Sequence, residues 1–408
     1  MLFSVYAEDT ILAHPCSVDV LKTVLAPSVK KSKTSKQTPF DHLINSKRPV
    51  VFAHGKNENI AIESTWLNIE HSLKKGDGWI GGLEVDAMPT KDGKFIIMHD
   101  PTFHNLVKNY QTVDYYKLQN FLNEYPELAK AKKGDWDFNL FDDSSIYTLG
   151  EIKAKFKIFD PKSGYDFNFI TLDELLSAAK NDKTFVIPPY TAEARAAPAI
   201  SNFDDIPGLK EKIIHTQMPT TIYIDFKAIN NLPRRLYNLS DWNWIKNSWS
   251  LDRLTKYTSD SLKTLSDTLK RNKSYDKTFF AVRHPDVAKM SYEIDPRMHF
   301  MASPESIVAQ SPIDFVIGEF EKFKPYKPQI YEVKYLAHIT DPKLRAWAKS
   351  NKVKLLFNHI EQGDKLQFEG QYWGNTKKLL DDLLKDGDDL LIQTNHVQEL
   401  KNLLNERP

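Results

Sequence analysis

The chain has 408 residues, 41% of them hydrophobic, and its 55 basic and 54 acidic side chains leave a formal charge of +1. That balance excludes the concentrated basic face of a nucleic-acid binder, and a single cysteine, Cys16, excludes an intramolecular disulfide framework or a cysteine-built zinc site. No run approaches the ~18 uncharged apolar residues of a membrane span, and the N-terminus meets Glu8 and Asp9 before any apolar core is complete, with no clear signal peptide; a soluble chain, cytoplasmic rather than secreted, is expected.

Residues 1–47 read as an N-terminal extension and linker: a short helix, then a polar, basic, turn-rich stretch over 30–39. The bland reading of its lysines is a solvated linker; the sharper one is a peripheral contact with anionic lipid head groups. From Arg48 onward, short apolar runs alternate with helical patterns. Strands are expected at Val50–Ala53, 80–86, 95–98, Thr221–Phe226, Thr278–Val282, 299–301, 315–317, 353–357 and 390–392. Helical spacing is expected over 58–75, with Gly76 placed to stop it, and over 172–180, 342–350 and 377–385. Such alternation predicts an α/β chain with a parallel sheet, and nine candidates for eight staves predict a closed (β/α)8 TIM barrel spanning 48–408 with one strand peripheral. A doubly wound open sheet is the alternative, but no glycine-rich dinucleotide loop follows the first strand. Residues 111–170, rich in aromatic and acidic side chains without the repeat of the unit, are expected as an insertion after the third strand, on the barrel's active-site side.

The chemistry concentrates in residues 82–100. Glu84 and Asp86 point the same way from one strand while Val85 points the other. Paired carboxylates repel unless a cation lies between them, and oxygen ligands suit a hard divalent ion, Mg2+ or Ca2+. A Thr90-Lys91-Asp92-Gly93 turn leads to a second strand that delivers His99, and His54 closes the strand before. Asp225 and Lys227 share one face at the end of a later strand. In a (β/α)8 barrel all of these fall at C-terminal strand ends, where active sites form. Arg283 and His284, also after a strand, are read either as phosphate contacts or as a helix start. His104, His359 and His396 are lesser candidates.

These residues resemble the glycerophosphodiester phosphodiesterase family. The family's His-Arg-Gly strand end and Glu-Asn helix start are matched by His54-Gly55 and Glu58-Asn59. Its acidic strand, Thr-x-Asp-Gly turn and His-Asp are matched by Glu84-Val85-Asp86, Thr90-Lys91-Asp92-Gly93 and His99-Asp100. A Thr-Leu-x-Glu-x-Leu start is echoed by residues 171–176, and an acidic-x-Lys strand by Asp225-Phe226-Lys227. The likeness runs from about His54 to the C-terminus and is strongest over its first 50 residues. It departs in lacking the Arg after the first His, in having Asp225 where the family usually has Glu, and in lacking the Trp-Thr-Val-Asn strand end near Phe357.

The resemblance implies a TIM barrel that hydrolyses a small-molecule glycerophosphodiester to glycerol phosphate and an alcohol. It implies His54 and His99 as the acid–base pair, Glu84, Asp86 and Asp225 as ligands of a divalent metal with Glu58 nearby, and Lys227 on a phosphate oxygen. Lys56 is the candidate for the missing positive charge, and Phe357 for the contact with the alcohol. Two alternatives stand beside this: a phospholipase D-like enzyme acting on intact lipids, and a catalytically inactive barrel acting as a binding or effector protein.

Overall fold

Eight short strands pair in parallel and close on themselves. In a computed structural model they are β1 (Val50–Ala53), β2 (Gly82–Pro89), β10 (Thr221–Phe226), β11 (Thr278–Val282), β12 (Phe300–Ala302), β13 (Ile330–Val333), β14 (Lys354–Phe357) and β15 (Leu391–Thr394). The order β1-β15-β14-β13-β12-β11-β10-β2 is closed by the β1–β2 pair, Phe52 opposite Gly82. The structure describes residues 37–54, 64–75, 80–99, 147–160, 165–181, 183–190, 192–194, 210–237, 250–358, 376–384, 390–394 and 397–405. Residues 1–36 of the expected 1–47 extension therefore lie outside the described residues, as do Lys56, Glu58, His104, His359 and His396.

Period-two alternation sorts every stave into an inward and an outward row. Outward residues such as Val51, Leu83, Ile224, Phe280 and Val333 are buried against the surrounding helices. Among these helices, α2 (Trp66–Lys75) follows the first stave, and the later ones are α6 (Leu251–Arg271), α7 (Pro285–Ile294), α8 (Ile313–Glu321), α10 (Pro342–Asn351), α11 (Thr376–Leu383) and α12 (Val397–Asn405). Helix α6 shows the logic: Ser250 caps it by accepting from the Arg253 N–H, and Leu254, Ser261, Leu262, Leu265 and Leu269 recur at helical spacing on the buried face. Each leucine so buried contributes roughly 1.5–3 kcal/mol.

The inward row makes a floor of Phe52, Tyr223, Phe279, Met301, Ile330, Leu356 and Leu391. Tyr223 stacks on Phe279 with the rings 5.1 Å apart and 2° from parallel. Gly82 belongs to this layer because a Cβ there would come 2.1 Å from the Phe52 ring. Below the floor, helix α1 (Pro39–Asn45), held by a Thr38/Asp41 capping box, plugs the barrel with Phe40 and Leu43. Residues 38–46, expected to be part of the linker, are thus packed against the barrel.

Phe40 also stacks on His299, 3.8 Å between ring centres and 15° apart, and burial pushes that imidazole down to about 4. The unfolded chain then takes up a proton near pH 6.5 that the folded one refuses, so stability is full above that pH and falls as pH drops toward 4. Urea unfolding at pH 7 and pH 4.5 should show His299→Leu losing about 2–3 kcal/mol less than the unaltered chain over that interval. Equal losses in both proteins would remove this role.

Three expectations change. The run at 95–98 is β3 (Phe95–Ile97), an antiparallel arm on β2 and not a stave. The run at 315–317 lies inside α8, where Val316 and Phe320 are buried one turn apart and Phe315 is exposed. The stave in its place is β13, a run the strand expectations omit. The chain between β3 and β10 also extends past the expected 111–170. It includes α3 (Leu149–Lys155), α4 (Leu172–Ala178) and two three-stranded sheets, β4 (Ile158–Asp160) with β5 (Tyr165–Phe167) and β8 (Ala192–Ala194), and β6 (Ala179–Asn181) with β7 (Thr184–Ile187) and β9 (Lys212–His215). Glu70 of α2 ties this region to the barrel wall, accepting from Lys212 at 2.9 Å and from the Tyr190 hydroxyl at 3.1 Å. No helix among the described residues is long and apolar enough to cross a membrane.

Candidate active site

The carboxylates meet because of register. Strand β10 runs beside β2 with Asp225 opposite Asp86 and Tyr223 opposite Glu84. Inward alternation then brings Glu84, Asp86 and Asp225 together, all buried, with one oxygen of each within 4.8 Å of the others. The Lys227 ammonium, on the 3-10 turn that follows β10, lies 2.6 Å from Asp86 Oδ1 and 2.6 Å from Asp225 Oδ2.

His54 closes β1, its backbone N–H donating to the Thr394 carbonyl, and its Nε2 lies 3.7 Å from Glu84 Oε2. His99 arrives by a different device. The turn from Thr90 to Gly93, with φ of +68° at Gly93, is held by Thr90 Oγ1 donating to Asp92 Oδ1 at 2.7 Å. It reverses the chain into β3, whose next residue, Met98, donates its N–H to the Asp86 carbonyl at 3.0 Å. His99 therefore follows directly on a backbone contact with the carboxylate strand. A small void lined by His54, Asn68, Ile69, Leu83, Glu84 and Val85 lies beside this group, against α2.

Asp225 is the most heavily engaged of the three. Arg283 Nη2 donates to both its oxygens at 3.1 Å, Asn230 Nδ2 to Oδ1 at 3.2 Å, and Lys227 to Oδ2. Burial alone would raise this carboxyl, but Lys227 and Arg283 hold it well below the usual carboxylate range. Burial likewise opposes the Lys227 charge, and Asp225 and Asp86 more than restore it, raising the ammonium above its ordinary value. Arg283 is itself fixed by Nε to Asn230 Oδ1 and Nη1 to Glu305 Oε1, both 2.9 Å.

A second buried acid lies across the mouth. Glu332 accepts from Asn358 Nδ2 at 2.7 Å and from the Ser303 hydroxyl, with the Lys334 ammonium 3.8 Å away. Burial pushes the Lys334 ammonium down, and Glu332 only partly offsets it. The sequence signal for this pair was present: Glu332-Val333-Lys334 repeats the acid-x-Lys pattern of Asp225-Phe226-Lys227.

Phe357 does not reach the mouth. Its neighbour Leu356 takes the inward position, and Phe357 is 1% exposed in the layer between barrel and helices, so alternation keeps it from a bound alcohol. Of the two readings of Arg283-His284, His284 is a helix start, its Nδ1 accepting from the Asp286 N–H at 3.1 Å, and Arg283 is the clamp on Asp225. Among the described residues, then, the structure gathers His54, Glu84, Asp86, Asp225 and Lys227 at one end of the barrel, and His99 follows Met98, whose backbone meets that of Asp86.

No family model matches the chain. It is similar to a curated glycerophosphodiester phosphodiesterase of Bacillus altitudinis, 25% identical over 124 residues that cover 29% of this chain and 43% of that protein. The match therefore spans less than half of the relative's length. Among solved structures, the fold is like that of a Silicibacter pomeroyi DSS-3 protein carrying the name glycerophosphoryl diester phosphodiesterase, with a TM-score of 0.51, 10% identity, and 90% of this chain and 98% of that one covered. A Parabacteroides distasonis ATCC 8503 protein of the same name aligns at a TM-score of 0.49 and 13% identity, covering 90% of this chain and 93% of that one. The likeness to the Silicibacter pomeroyi structure is one of fold.

Proposed function

We propose that the chain is a phosphodiesterase of the glycerophosphodiester type, which hydrolyses a glycerophosphodiester to glycerol phosphate and an alcohol. The observation that carries it is the buried trio Glu84, Asp86 and Asp225 with Lys227 among them at the C-terminal mouth of the barrel. The trio fits a divalent ion, Mg2+ or Ca2+: three buried acidic oxygens within 4.8 Å can share one hard cation. Such an ion, when bound, would neutralise the non-bridging oxygens of the diester and favour deprotonation of the attacking oxygen.

The chain's own residues supply the rest. Lys227 offers fixed positive charge to a phosphate oxygen, where negative charge grows as the phosphorus–oxygen bond to the nucleophile forms. His54 and His99 divide the proton transfers: one takes the proton of the attacking oxygen, the other gives a proton to the departing alkoxide. The imidazolium formed at His54 would face the Glu84 carboxylate 3.7 Å away. Arg283 and Asn230 keep Asp225 in place throughout.

A second reading, action on intact lipids, draws on Val308 and Phe315, 51% and 43% exposed, in the segment that follows β12 at the mouth side. The purified chain should release glycerol phosphate from water-soluble glycerophosphodiesters, lose that activity on chelation and regain it with Mg2+ or Ca2+. Turnover of phospholipid vesicles alone would favour the second reading, and activity unchanged by chelation would contradict the ion's part in the first.

A further inference from the structure

We infer that Lys227 is a stand-in cation: its ammonium occupies the carboxylates while they hold no ion, and moves to the substrate phosphate when they do. This rests on the ion site proposed above. Lys227 Nζ is 2.6 Å from an oxygen of Asp86 and 2.6 Å from an oxygen of Asp225, two of the three acids able to share one ion. Charge-assisted hydrogen bonds of that length use the lone pairs that a cation would need. An ion about 2.0–2.6 Å from the same oxygens would sit within a few ångströms of the ammonium nitrogen, and in a buried site two like charges so close repel strongly. Lysine and ion therefore compete for one position.

The surroundings decide which group yields. Asp225 is also held by Arg283 and Asn230, and Arg283 is fixed in turn by Asn230 and Glu305, so neither the carboxylate nor the guanidinium has an alternative place. Among the described residues Lys227 is tied to the two acids it would release, its side chain is 22% exposed against 14% for Arg283, and its stem is flexible. Movement of Lys227 leaves every other contact of the cluster intact. The coupling must also be reciprocal: whatever frees Lys227 for phosphate favours the ion, and a phosphate that draws Lys227 away opens the carboxylates.

Calorimetric titration of Mg2+ and Ca2+ into the full chain and into Lys227→Met and Lys227→Gln tests this. Both variants remove the charge, and Gln keeps a hydrogen-bond donor. The expected result is cation binding about tenfold or more tighter in the variants, with inorganic phosphate binding more weakly to the cation-loaded variants than to the cation-loaded unaltered chain. Equal or weaker cation binding in a folded variant overturns the exchange. The unaltered chain gives a check that needs no variant: acetylation of Lys227, read by mass spectrometry, should be slow under chelation and faster with Mg2+ or Ca2+. Equal or slower modification with the cation overturns the proposal. Should Asp86→Asn abolish cation binding while Lys227→Gln leaves it unchanged, the ion site stands and the exchange falls. Should no protein bind either cation, both fall.

Discussion

Replacing either His54 or His99 with alanine should lower kcat by about 10²–10⁴-fold while leaving the fold intact, the range typical of a lost general acid or base. The two substitutions follow different strands, β1 and the arm after β2, and under the proposed acid–base division they remove partners in one reaction. The double variant should therefore be hardly slower than the worse single one, because residues that act as a unit lose their effect together. His54 is 29% exposed at its side chain, and its described ionic neighbour is Glu84 at 3.7 Å, too long for a strong hydrogen bond. Thermal unfolding of both variants should stay near that of the unaltered chain. Full turnover by either variant would contradict the acid–base assignment, and loss of activity accompanied by unfolding would assign that histidine a structural role.

Arg283→Met should be the most destabilising single substitution at the mouth, by about 3–5 kcal/mol, since removing one partner of a buried ion pair leaves the other charge uncompensated. Four hydrogen bonds end on this guanidinium: two from Nη2 to Asp225, one from Nε to Asn230 and one from Nη1 to Glu305. Methionine fills similar space but leaves Glu305 without this partner and Asp225 with Lys227 and Asn230. Adding Glu305→Gln to Arg283→Met should recover part of the loss, which a packing defect would not. Urea unfolding gives the comparison. A cost below about 1 kcal/mol would place Arg283 among surface pairs of little worth and remove the clamp.

The staves Val50–Ala53, Thr221–Phe226 and Thr278–Val282 were legible as short runs rich in β-branched and aromatic residues. Strand β13 is only the four residues Ile330-Tyr331-Glu332-Val333, of which Ile330 and Tyr331 are the longest apolar run, and it was not read as a strand. The opposite error at Phe315-Val316-Ile317 has the same root: three apolar residues in a row fit a strand, and only Phe320, one turn beyond Val316, shows the helical face.

Alternation places Glu84 and Asp86 on one face of their strand, but their meeting with Asp225 depends on the β2–β10 register, which no single strand reveals. Phe357 was misplaced by neglecting that alternation, as Leu356 already holds the inward position. Arg283 was noticed without its role, which depends on a lateral neighbour, Asp225, that no spacing within one strand reveals.

The claim on which the rest depends is that Glu84, Asp86 and Asp225 hold one divalent ion. A manganese-soaked crystal, measured for anomalous scattering at the manganese edge, tests it directly. The account predicts a single strong peak among those three carboxylates, with the Lys227 ammonium withdrawn from Asp86 and Asp225. A peak elsewhere, or none while Lys227 still bridges the two aspartates, would contradict it.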